Sequence, residues 1–519
     1  MPTYLSPGVY VEEVEAGSRP IEGVGTAVAA FVGLAQKGPV NEPTLVSNWT
    51  QFSEKFGDFV PGAYLAHAVY GYMQNGGQNC FIVRIGANGT AETGPAASAP
   101  KAVSPGREAV LGGYRVRALP GAPATKPITV EVADAGGESP PEDHFKLIVN
   151  VDGKAAETHD HVTTKRGADN VVTKVNAASK LIQLEEMTGG GTLAKPANGT
   201  AELAAPAPEP EAPSVAELGA DDYVGDVAER TGFSGLEAVD EVTIVAIPDL
   251  VAALEQGVID RETFKSVQLA AISHCELMGN RVAILDPPPG LSPQGIKQWR
   301  AEETGYDSKF ATLYWPYVKV FDPATGTNRF VPPSGHIAGV WARNDDTRGV
   351  HKAPANEVVR GAIALQATIT KAEHDLLNPV GINCLRSFPG RGIRVWGART
   401  LSSDPAWRYL NVRRLFNYLE ESILLGTQWV VFEPNDPALW SRIRRTVGAF
   451  LVNEWRKGAL FGLTPDEAFY VKCDAETNPA EGIDAGQVLC QVGVAPVKPA
   501  EFVIFQLAQY SGGTSLVSE

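Results

Sequence analysis

The sequence has few cysteines, and none are spaced as in a disulfide framework or a zinc site. Five occur among 519 residues, and no two form a CxxC pair. Small disulfide-stabilised domains and zinc ribbons need closely spaced pairs, so both classes are excluded. An odd number of scattered cysteines favours a reduced compartment. The five are Cys80, Cys275, Cys384, Cys473 and Cys490.

Long apolar segments and an excess of basic residues are also missing. No run of about 18 uncharged apolar residues is present, so we expect no direct membrane insertion. The opening residues, MPTYLSPGVY, contain no basic segment followed by an apolar one, which predicts synthesis in the cytoplasm without a signal peptide. The formal net charge of -16 argues against a nucleic-acid binder, because neutralising phosphates requires clustered Lys and Arg.

Residues suited to catalysis are sparse. Gly513-Thr514-Ser515-Leu516 superficially resembles the nucleophile turn of a subtilisin-like serine hydrolase, but it lies too close to Glu519 to begin the long helix that such a serine needs. His336 is the best candidate base, yet no Asp-Ser-Gly or Asp-Thr-Gly turn accompanies it. We expect no catalytic residues, and a hydrolase remains the alternative function.

Two other patterns are weak signals for ligands. The paired glycines from Gly390 to Gly397 precede a strand-like run and not a helix, so the dinucleotide fingerprint fails and a turn is expected. His159-Asp160-His161 has metal-binding residue types but no matching ligand cluster. We therefore expect no cofactor and no metal.

The first folded segment has a mixed α/β pattern. The apolar run from Thr26 to Ala35 and the run from Cys80 to Ile85 predict buried strands. Between them we expect one helix capped by Ser47 or Asn48 and a second helix at 64–73.

The same pattern resumes after Leu218. Residues 241–248 and 281–286 predict buried strands that flank a helix at 260–278, and Ala311 to Phe321 predicts one further core strand. This βαβαβ series implies parallel strands with right-handed crossovers.

A compositional change separates these two parts. Residues 90–104 and 192–214 are rich in Ala, Pro, Gly and Glu, which predicts linkers. Between them, the alternating segments YRVRAL, ITVEVA, HFKLIVNVDG and KLIQLEE predict a small all-β domain inserted into a loop.

Two amphipathic helices are predicted in the last third. The first, at 411–425, has an apolar stripe, and its charged residues Arg413, Arg414, Glu420 and Glu421 are interpreted as a solvated face.

The second helix, at about 437–458, places Arg442, Arg445 and Arg456 opposite its apolar stripe, with Lys457 at the edge of the basic group. These charges form either a solvated face or a contact for an acidic partner.

Three strand patterns follow, and another lies near the start of the chain. Residues 468–473 and 486–494 predict a hairpin, while 501–507 either complete its sheet or leave as an arm. The strand pattern around Val9, Tyr10 and Val11 has no hairpin partner nearby, so it docks on its own domain or pairs with another chain.

Several long segments together resemble the tail sheath proteins of contractile phage tails and phage-tail-like contractile injection systems. The likeness covers the last hundred or so residues and leaves out only the region from about Thr90 to Leu218. The other segments are SPGVYVEE, FVGLAQKGPVNEPTLVSNWTQFSEKFG, the strand ending in VFDP, PPSGHIAGVWARND and HKAPANE. Within PPSGHIAGVWARND we expect a short helix that begins at Pro332-Pro333-Ser334.

The resemblance implies a multi-domain α/β (α+β) fold with a mixed subtilisin-like α/β sheath core that lacks the protease chemistry. The inserted β-rich domain and the extended N- and C-terminal strand arms would be added to that core. The expected divisions are 1–20 (arm), 21–90 (core), 91–216 (insert), 217–400 (main sheath domain), 401–498 (inner domain) and 499–519 (arm and tail).

The resemblance also implies a structural role. Identical subunits would form a helical homopolymer of hexameric rings around an inner tube protein, with baseplate and terminal cap proteins as further partners. Contraction would drive the tube through a target envelope. The inner-tube contact is assigned to Arg442, Arg445, Arg456 and Lys457. The inter-subunit arm strands are assigned to Val9, Tyr10, Val11, Phe502, Val503, Ile504 and Phe505.

Overall fold

A computed structural model of the protein describes residues 20–86 and 218–507. Of the region between them it describes residues 108–111, 113–119, 128–137, 141, 143–165, 167, 169–186 and 195–203. The predicted strand at Val9–Val11, the first linker and the Ser515 turn lie outside the described residues. The chain divides into two compact units, one of residues 1–88 with 212–519 and the other of residues 89–211.

The secondary-structure elements are numbered in chain order. The strands are β1 (Ala29–Gly33), β2 (Thr44–Val46), β3 (Cys80–Arg84), β4 (Glu108–Leu111), β5 (Tyr114–Ala118), β6 (Ile128–Asp134), β7 (His144–Val151), β8 (Lys154–Thr163), β9 (Ile182–Glu186), β10 (Gly199–Glu202), β11 (Ile244–Ala246), β12 (Val282–Leu285), β13 (Ala311–Trp315), β14 (Val318–Asp322), β15 (Thr327–Val331), β16 (Ala364–Leu365), β17 (Ile382–Phe388), β18 (Gly392–Val395), β19 (Phe469–Lys472) and β20 (Gln491–Val494). The α-helices are α1 (Trp49–Phe56), α2 (Leu65–Gln74), α3 (Val171–Ala178), α4 (Ala220–Val224), α5 (Asp249–Glu255), α6 (Arg261–Met278), α7 (Pro293–Gln298), α8 (Ser334–Arg348), α9 (Lys371–Leu377), α10 (Leu410–Gly426), α11 (Pro437–Arg456), α12 (Pro465–Ala468) and α13 (Ala480–Asp484).

The first unit is built on an eight-stranded sheet of order β18-β17-β13-β12-β11-β1-β3-β2. The strands from β17 to β3 pair in parallel, and the edge strands β18 and β2 pair antiparallel. Every residue of β1, β3, β12 and β13 is buried. A parallel sheet covered on both faces needs such continuous apolar strands, and the prediction of parallel core strands is confirmed.

The expected single strand from Ala311 to Phe321 is wrong. It divides into β13, which belongs to the main sheet, and β14, which forms a separate three-stranded sheet with β15 and β16. Pro316 lies at the division, and because proline has no N–H it cannot continue the ladder.

Buried polar groups join elements of the first unit that are distant in sequence. The carboxylate of Asp249, in a helix the sequence did not predict, accepts hydrogen bonds from the backbone N–H groups of Leu34 (2.6 Å), Leu65 (3.1 Å) and Tyr64. Burial raises the pKa of Asp249 to about 6, although these hydrogen bonds oppose the shift. The end of β1 and the start of α2 are thereby fixed to α5.

The solvated face predicted for α10 is wrong at both arginines. Arg414 is buried, forms an ion pair of 2.5 Å with Asp345 of α8 and lies 4.6 Å from the ring of Trp341. Arg413 is also buried, lies 4.6 Å from the ring of Trp407 and pairs with Glu420 at 3.2 Å. A planar guanidinium can stack and pair at once, so arginine tolerates burial here.

The second unit contains two antiparallel sheets with their own apolar core, of orders β10-β6-β7-β8 and β4-β5-β9. The expectation of an all-β insert is wrong, because α3 is helical and Asn170 caps it by accepting from the N–H groups of Val172 and Thr173. The second predicted linker is also wrong in part, because β10 lies within it.

The points at which the chain leaves and re-enters the first unit lie close together, because a Cβ placed on Gly86 would lie 3.2 Å from Leu218 Cδ2. We therefore predict that replacing residues 90–214 with a short Gly-Ser linker leaves the remaining unit folded, since closing a short gap costs little entropy. The measurement is thermal melting monitored by circular dichroism. Leu218→Ala, made in the linker variant, is the control because it shows how melting changes when the core is damaged. A linker variant that melts without cooperativity would contradict this prediction.

Candidate assembly surfaces

Helix α11 has the amphipathic character that the sequence predicts. Asp436 caps it by accepting from the N–H of Leu439 at 2.7 Å, and Pro437 occupies its first turn. Its apolar side packs into a core shared with α10 and β19. The stripe residues Trp440, Ile443, Val447, Phe450 and Leu451 are all buried.

The four basic residues predicted at the tube contact fall into two groups. Arg442 forms an ion pair of 2.6 Å with Glu433, and Lys457 pairs with Glu454 at 2.7 Å. Arg445 and Arg456 are exposed and form no ion pair with any residue that the structure describes. Uncompensated charge on this side of α11 is therefore concentrated at Arg445 and Arg456.

Arg444, which the sequence analysis did not single out, has a different role. Its Nη1 donates to the carbonyl of Cys473 at 2.5 Å, so it ties α11 to the residue that follows β19. At 100° per residue Arg444 lies beside Leu451 at the edge of the apolar stripe, and this position separates it from the basic residues on the opposite side.

Strands β19 and β20 form the predicted hairpin, pairing antiparallel from Phe469 opposite Val494 to Lys472 opposite Gln491. They make a sheet of two strands, and among the described residues no third strand joins either edge. Tyr470 and Val492 lie exposed on these strands. The hairpin therefore offers free edges with apolar side chains beside them.

The chain after the hairpin is held to the first unit as far as Glu501. Asn411 donates to the carbonyl of Val497 at 3.0 Å. Glu501 accepts from Arg399 Nη2 at 2.6 Å and Nε at 2.9 Å, and from Asn378 at 2.7 Å. Burial alone would raise the pKa of Glu501, but these hydrogen bonds and the charge of Arg399 lower it below its ordinary value.

Beyond Glu501 the chain makes no secondary structure up to Leu507. Its five apolar side chains, those of Phe502, Val503, Ile504, Phe505 and Leu507, are between 69% and 98% exposed. In this structure the segment therefore does not pair with the hairpin of its own chain. The sequence predicted its strand-like pattern but gave no sign of Glu501 as its anchor.

The candidate catalytic base does not occupy an open site. His336 is buried in α8, and its Nδ1 has no hydrogen-bond partner among the described residues. Burial lowers the pKa of His336 to about 4, with the nearby His67 adding to the effect, so its imidazole is neutral at pH 7.

The remaining candidate ligands have ordinary surroundings. Gly390, in the turn between β17 and β18, and Gly392, the first residue of β18, both have positive φ, in agreement with the turn expected from the sequence. His159 lies 3.6 Å from Glu157, and Asp160 lies 3.9 Å from Lys146. Across the described parts of the chain no group of three or more His, Cys, Asp or Glu residues is placed to hold a metal ion, and none of the helices there is long and apolar enough to cross a membrane.

Related proteins and structures share this architecture. The tail sheath protein of Burkholderia phage BcepMu is 24% identical over 519 aligned residues, which cover 96% of this chain and 95% of that protein. The tail sheath protein of Vibrio phage KVP40 is 27% identical over 235 residues, covering 42% of this chain and only 34% of that longer protein. The sheath of the PVC extracellular contractile injection system, in its contracted state, superimposes with a TM-score of 0.58 at 22% identity, covering 98% of this chain and 99% of that one.

Family models match most of the first unit. The phage tail sheath protein central domain matches residues 217–401, and the phage tail sheath C-terminal domain matches residues 402–509. The two models together span more than half of the sequence, and the chain belongs to the phage tail sheath protein family.

Proposed function

We propose that this chain is the structural subunit of a contractile sheath that polymerises helically around an inner tube and contracts to drive the tube through a target envelope. The observation that carries the proposal is the apolar segment after Glu501, which is anchored at its base and unpaired along its length. In this role identical subunits form six-subunit rings. The further partners are an inner tube protein, a baseplate and a terminal cap.

The backbone of residues 502–507 is suited to strand donation. An extended segment leaves its N–H and C=O groups without ladder partners, and a strand of another molecule can supply them. In an extended chain Phe502 and Ile504 would share one face and Val503 and Phe505 the other. Apolar residues on both faces suit a strand that is covered on both sides.

The proposed acceptor of this strand is the β19–β20 hairpin. The β19–β20 hairpin has free edges beside exposed Tyr470 and Val492, so a third strand can extend it without breaking existing pairs. We propose that residues 502–505 of one subunit add to this hairpin in a neighbouring subunit. Val9, Tyr10 and Val11 of a further subunit would contribute a second donated strand.

This contact also explains why the product is a polymer. Donor and acceptor are different surfaces of the same chain, so a head-to-tail contact leaves a free donor at one end and a free acceptor at the other, and it can propagate from subunit to subunit. Subunits can then rotate as rigid bodies during contraction while the donated strands remain paired.

The tube contact is proposed for the basic side of α11. Arg445 and Arg456 would make the principal contact, because their charges have no ion-pair partner among the described residues, and Arg442 and Lys457 would support it. An acidic tube surface is the complementary partner, and such charges mainly set orientation and the rate of association.

We further propose a subtilisin-like core without hydrolytic activity, because the candidate base His336 is buried and its Nδ1 has no hydrogen-bond partner among the described residues. The proposed domain limits are 1–20, 21–90, 91–216, 217–400, 401–498 and 499–519. We also propose that the chain is synthesised in the cytoplasm and then assembled into a particle. A subtilisin-like hydrolase remains the alternative function.

Two truncations test strand donation. Ending the chain after Glu501 removes the exposed segment but keeps its anchor, so we predict an unchanged melting temperature and complete loss of polymers. Ending it after Lys498 also removes Glu501 and leaves Arg399 without its carboxylate, which should lower the free energy of unfolding by about 1–3 kcal/mol. Sedimentation, electron microscopy and chemical denaturation measure these outcomes.

The pair of truncations separates a lost strand from a damaged fold. Glu501→Gln in the full-length chain is the matched control for the anchor, since it removes the charge and retains the arm. Normal polymers from the chain that ends after Glu501 would rule out donation by residues 502–505.

Charge reversal on α11 tests the tube contact. We predict that Arg445→Glu with Arg456→Glu leaves the melting temperature unchanged, because both side chains are exposed, and lowers the yield of tube-filled sheaths at least about tenfold. The measurement is electron microscopy of sheath co-expressed with its tube protein. Lys154→Glu with Lys371→Glu makes the same change of net charge at exposed positions elsewhere and should assemble normally. A normal yield from the α11 variant would exclude this surface.

A further inference from the structure

Two cysteines that are separated in sequence face each other across the hairpin. The last ladder pair is Lys472 with Gln491, so Cys473 and Cys490 are the next opposed residues. The N–H of Ala495 donates to the carbonyl of Ala468, which makes that pair a hydrogen-bonded one. Since hydrogen-bonded and non-hydrogen-bonded pairs alternate, Cys473 and Cys490 occupy a non-hydrogen-bonded position.

That position has the geometry that a disulfide requires. Directly opposed residues point to the same face, and at a non-hydrogen-bonded position their Cα atoms are about 4.5 Å apart. Disulfides span Cα separations of about 4.4 to 6.8 Å, so the backbone need not move far. The two thiols lie near enough for each to shift the pKa of the other.

The surroundings hold this pair together and leave one member within reach. Asn478 Nδ2 lies 3.8 Å from Cys473 Sγ and also donates to the carbonyl of Leu489 at 3.1 Å. Asn478 Oδ1 accepts from the N–H of Leu489 at 2.6 Å, so one side chain fixes both strands beside the cysteines. Cys473 is buried, whereas Cys490 is only half-buried and can reach an oxidant in solvent.

We propose that Cys473 and Cys490 are a redox-modifiable pair that forms a reversible intramolecular disulfide on exposure to a disulfide oxidant such as oxidised glutathione. The Cys490 thiol loses its proton and attacks the oxidant, which forms a mixed disulfide and expels one glutathione thiolate. The Cys473 thiol then loses its proton and attacks the Cys490 sulfur, which expels the second glutathione. The protein loses two electrons and two protons, and the oxidant becomes two thiols.

The chemistry of the thiols sets when this occurs. Burial, reinforced by the neighbouring Cys473, raises the pKa of Cys490 to about 12, and burial also raises the pKa of Cys473. Few thiolates exist at neutral pH, so oxidation is slow. The excess of thiols in a cell favours the reduced pair, and oxidation is expected where that excess is lost. The new bond would close the loop of residues 474–489, which contains α13, and restrict the unfolded chain.

The consequence for assembly rests on the proposed function, because the hairpin is the surface proposed to receive donated strands. After the particle leaves the cell, oxidation would join the two strands of the hairpin covalently, next to their last ladder pair. The disulfide itself is a property of one chain, so it can be tested on protein that has not assembled.

The test uses full-length protein treated with oxidised glutathione, blocked with N-ethylmaleimide and digested with a protease that cuts after glutamate. Glu476 and Glu481 lie between the two cysteines, so a disulfide appears as two peptides joined together and lighter by two hydrogens. We expect this product in more than about half of the molecules, together with a melting temperature a few degrees higher than that of reduced protein. Dithiothreitol should reverse both changes.

Controls come from the chain itself. The buried Cys80, Cys275 and Cys384 should be blocked by maleimide only after denaturation. Cys490→Ala should abolish both the linked peptides and the shift in melting temperature. Glutathione attached stably at Cys490, or disulfides only between chains, would overturn the proposal. Linked peptides in a protein that never polymerises would uphold this inference and count against the proposed function alone.

Discussion

The ion pair between Arg399 and Glu501 marks where the chain stops packing on itself. Arg399 is buried and Glu501 largely so, and two hydrogen bonds of 2.6 and 2.9 Å join the guanidinium to the carboxylate. Such a planar pair fixes direction as well as position. The next residue, Phe502, is already 73% exposed. The pair therefore gives the proposed donated strand a rigid origin, and the proposed head-to-tail contact depends on it.

A rigid subunit is the other requirement of a contracting lattice, and the buried polar contacts suit it. Arg414 and Asp345 join α10 to α8, and the same carboxylate accepts from Thr26 just before β1. Asp249 joins β1, α2 and α5. A broken buried pair leaves an uncompensated charge, so these contacts resist deformation within a subunit. In the proposed lattice, movement would then occur at the joints between subunits, where main-chain pairing can persist while the bodies rotate.

Strong local signals in the sequence were enough for much of the fold. Continuous apolar runs predicted β1, β3, β11 and β12, and Asn48 caps α1 as expected because a side-chain oxygen can accept from its first turn. The errors arise where tertiary context decides. Pro316 divides one apolar run between two sheets. The helix α3 was missed because the alternating segments around it predicted an all-β insert.

Long-range partners explain what the sequence could not reveal about the candidate surfaces. Arg413 and Arg414 look solvated on a helical wheel because Trp407 and Asp345 come from other elements. Pairing of Arg442 and Lys457 with nearby glutamates separates them from Arg445 and Arg456. Glu501 became informative only through Arg399, which is 102 residues away. In the same way, Cys473 and Cys490 became a pair only once the hairpin register was known.

The proposed assembly depends on a donor strand and an acceptor hairpin carried by the same chain, which together build a polymer. The most direct measurement is electron microscopy of the purified full-length protein alone, over a range of concentration and salt, with light scattering for mass. We predict hollow helical rods or stacked rings whose number grows with protein concentration. A monodisperse monomer under all of these conditions would contradict it.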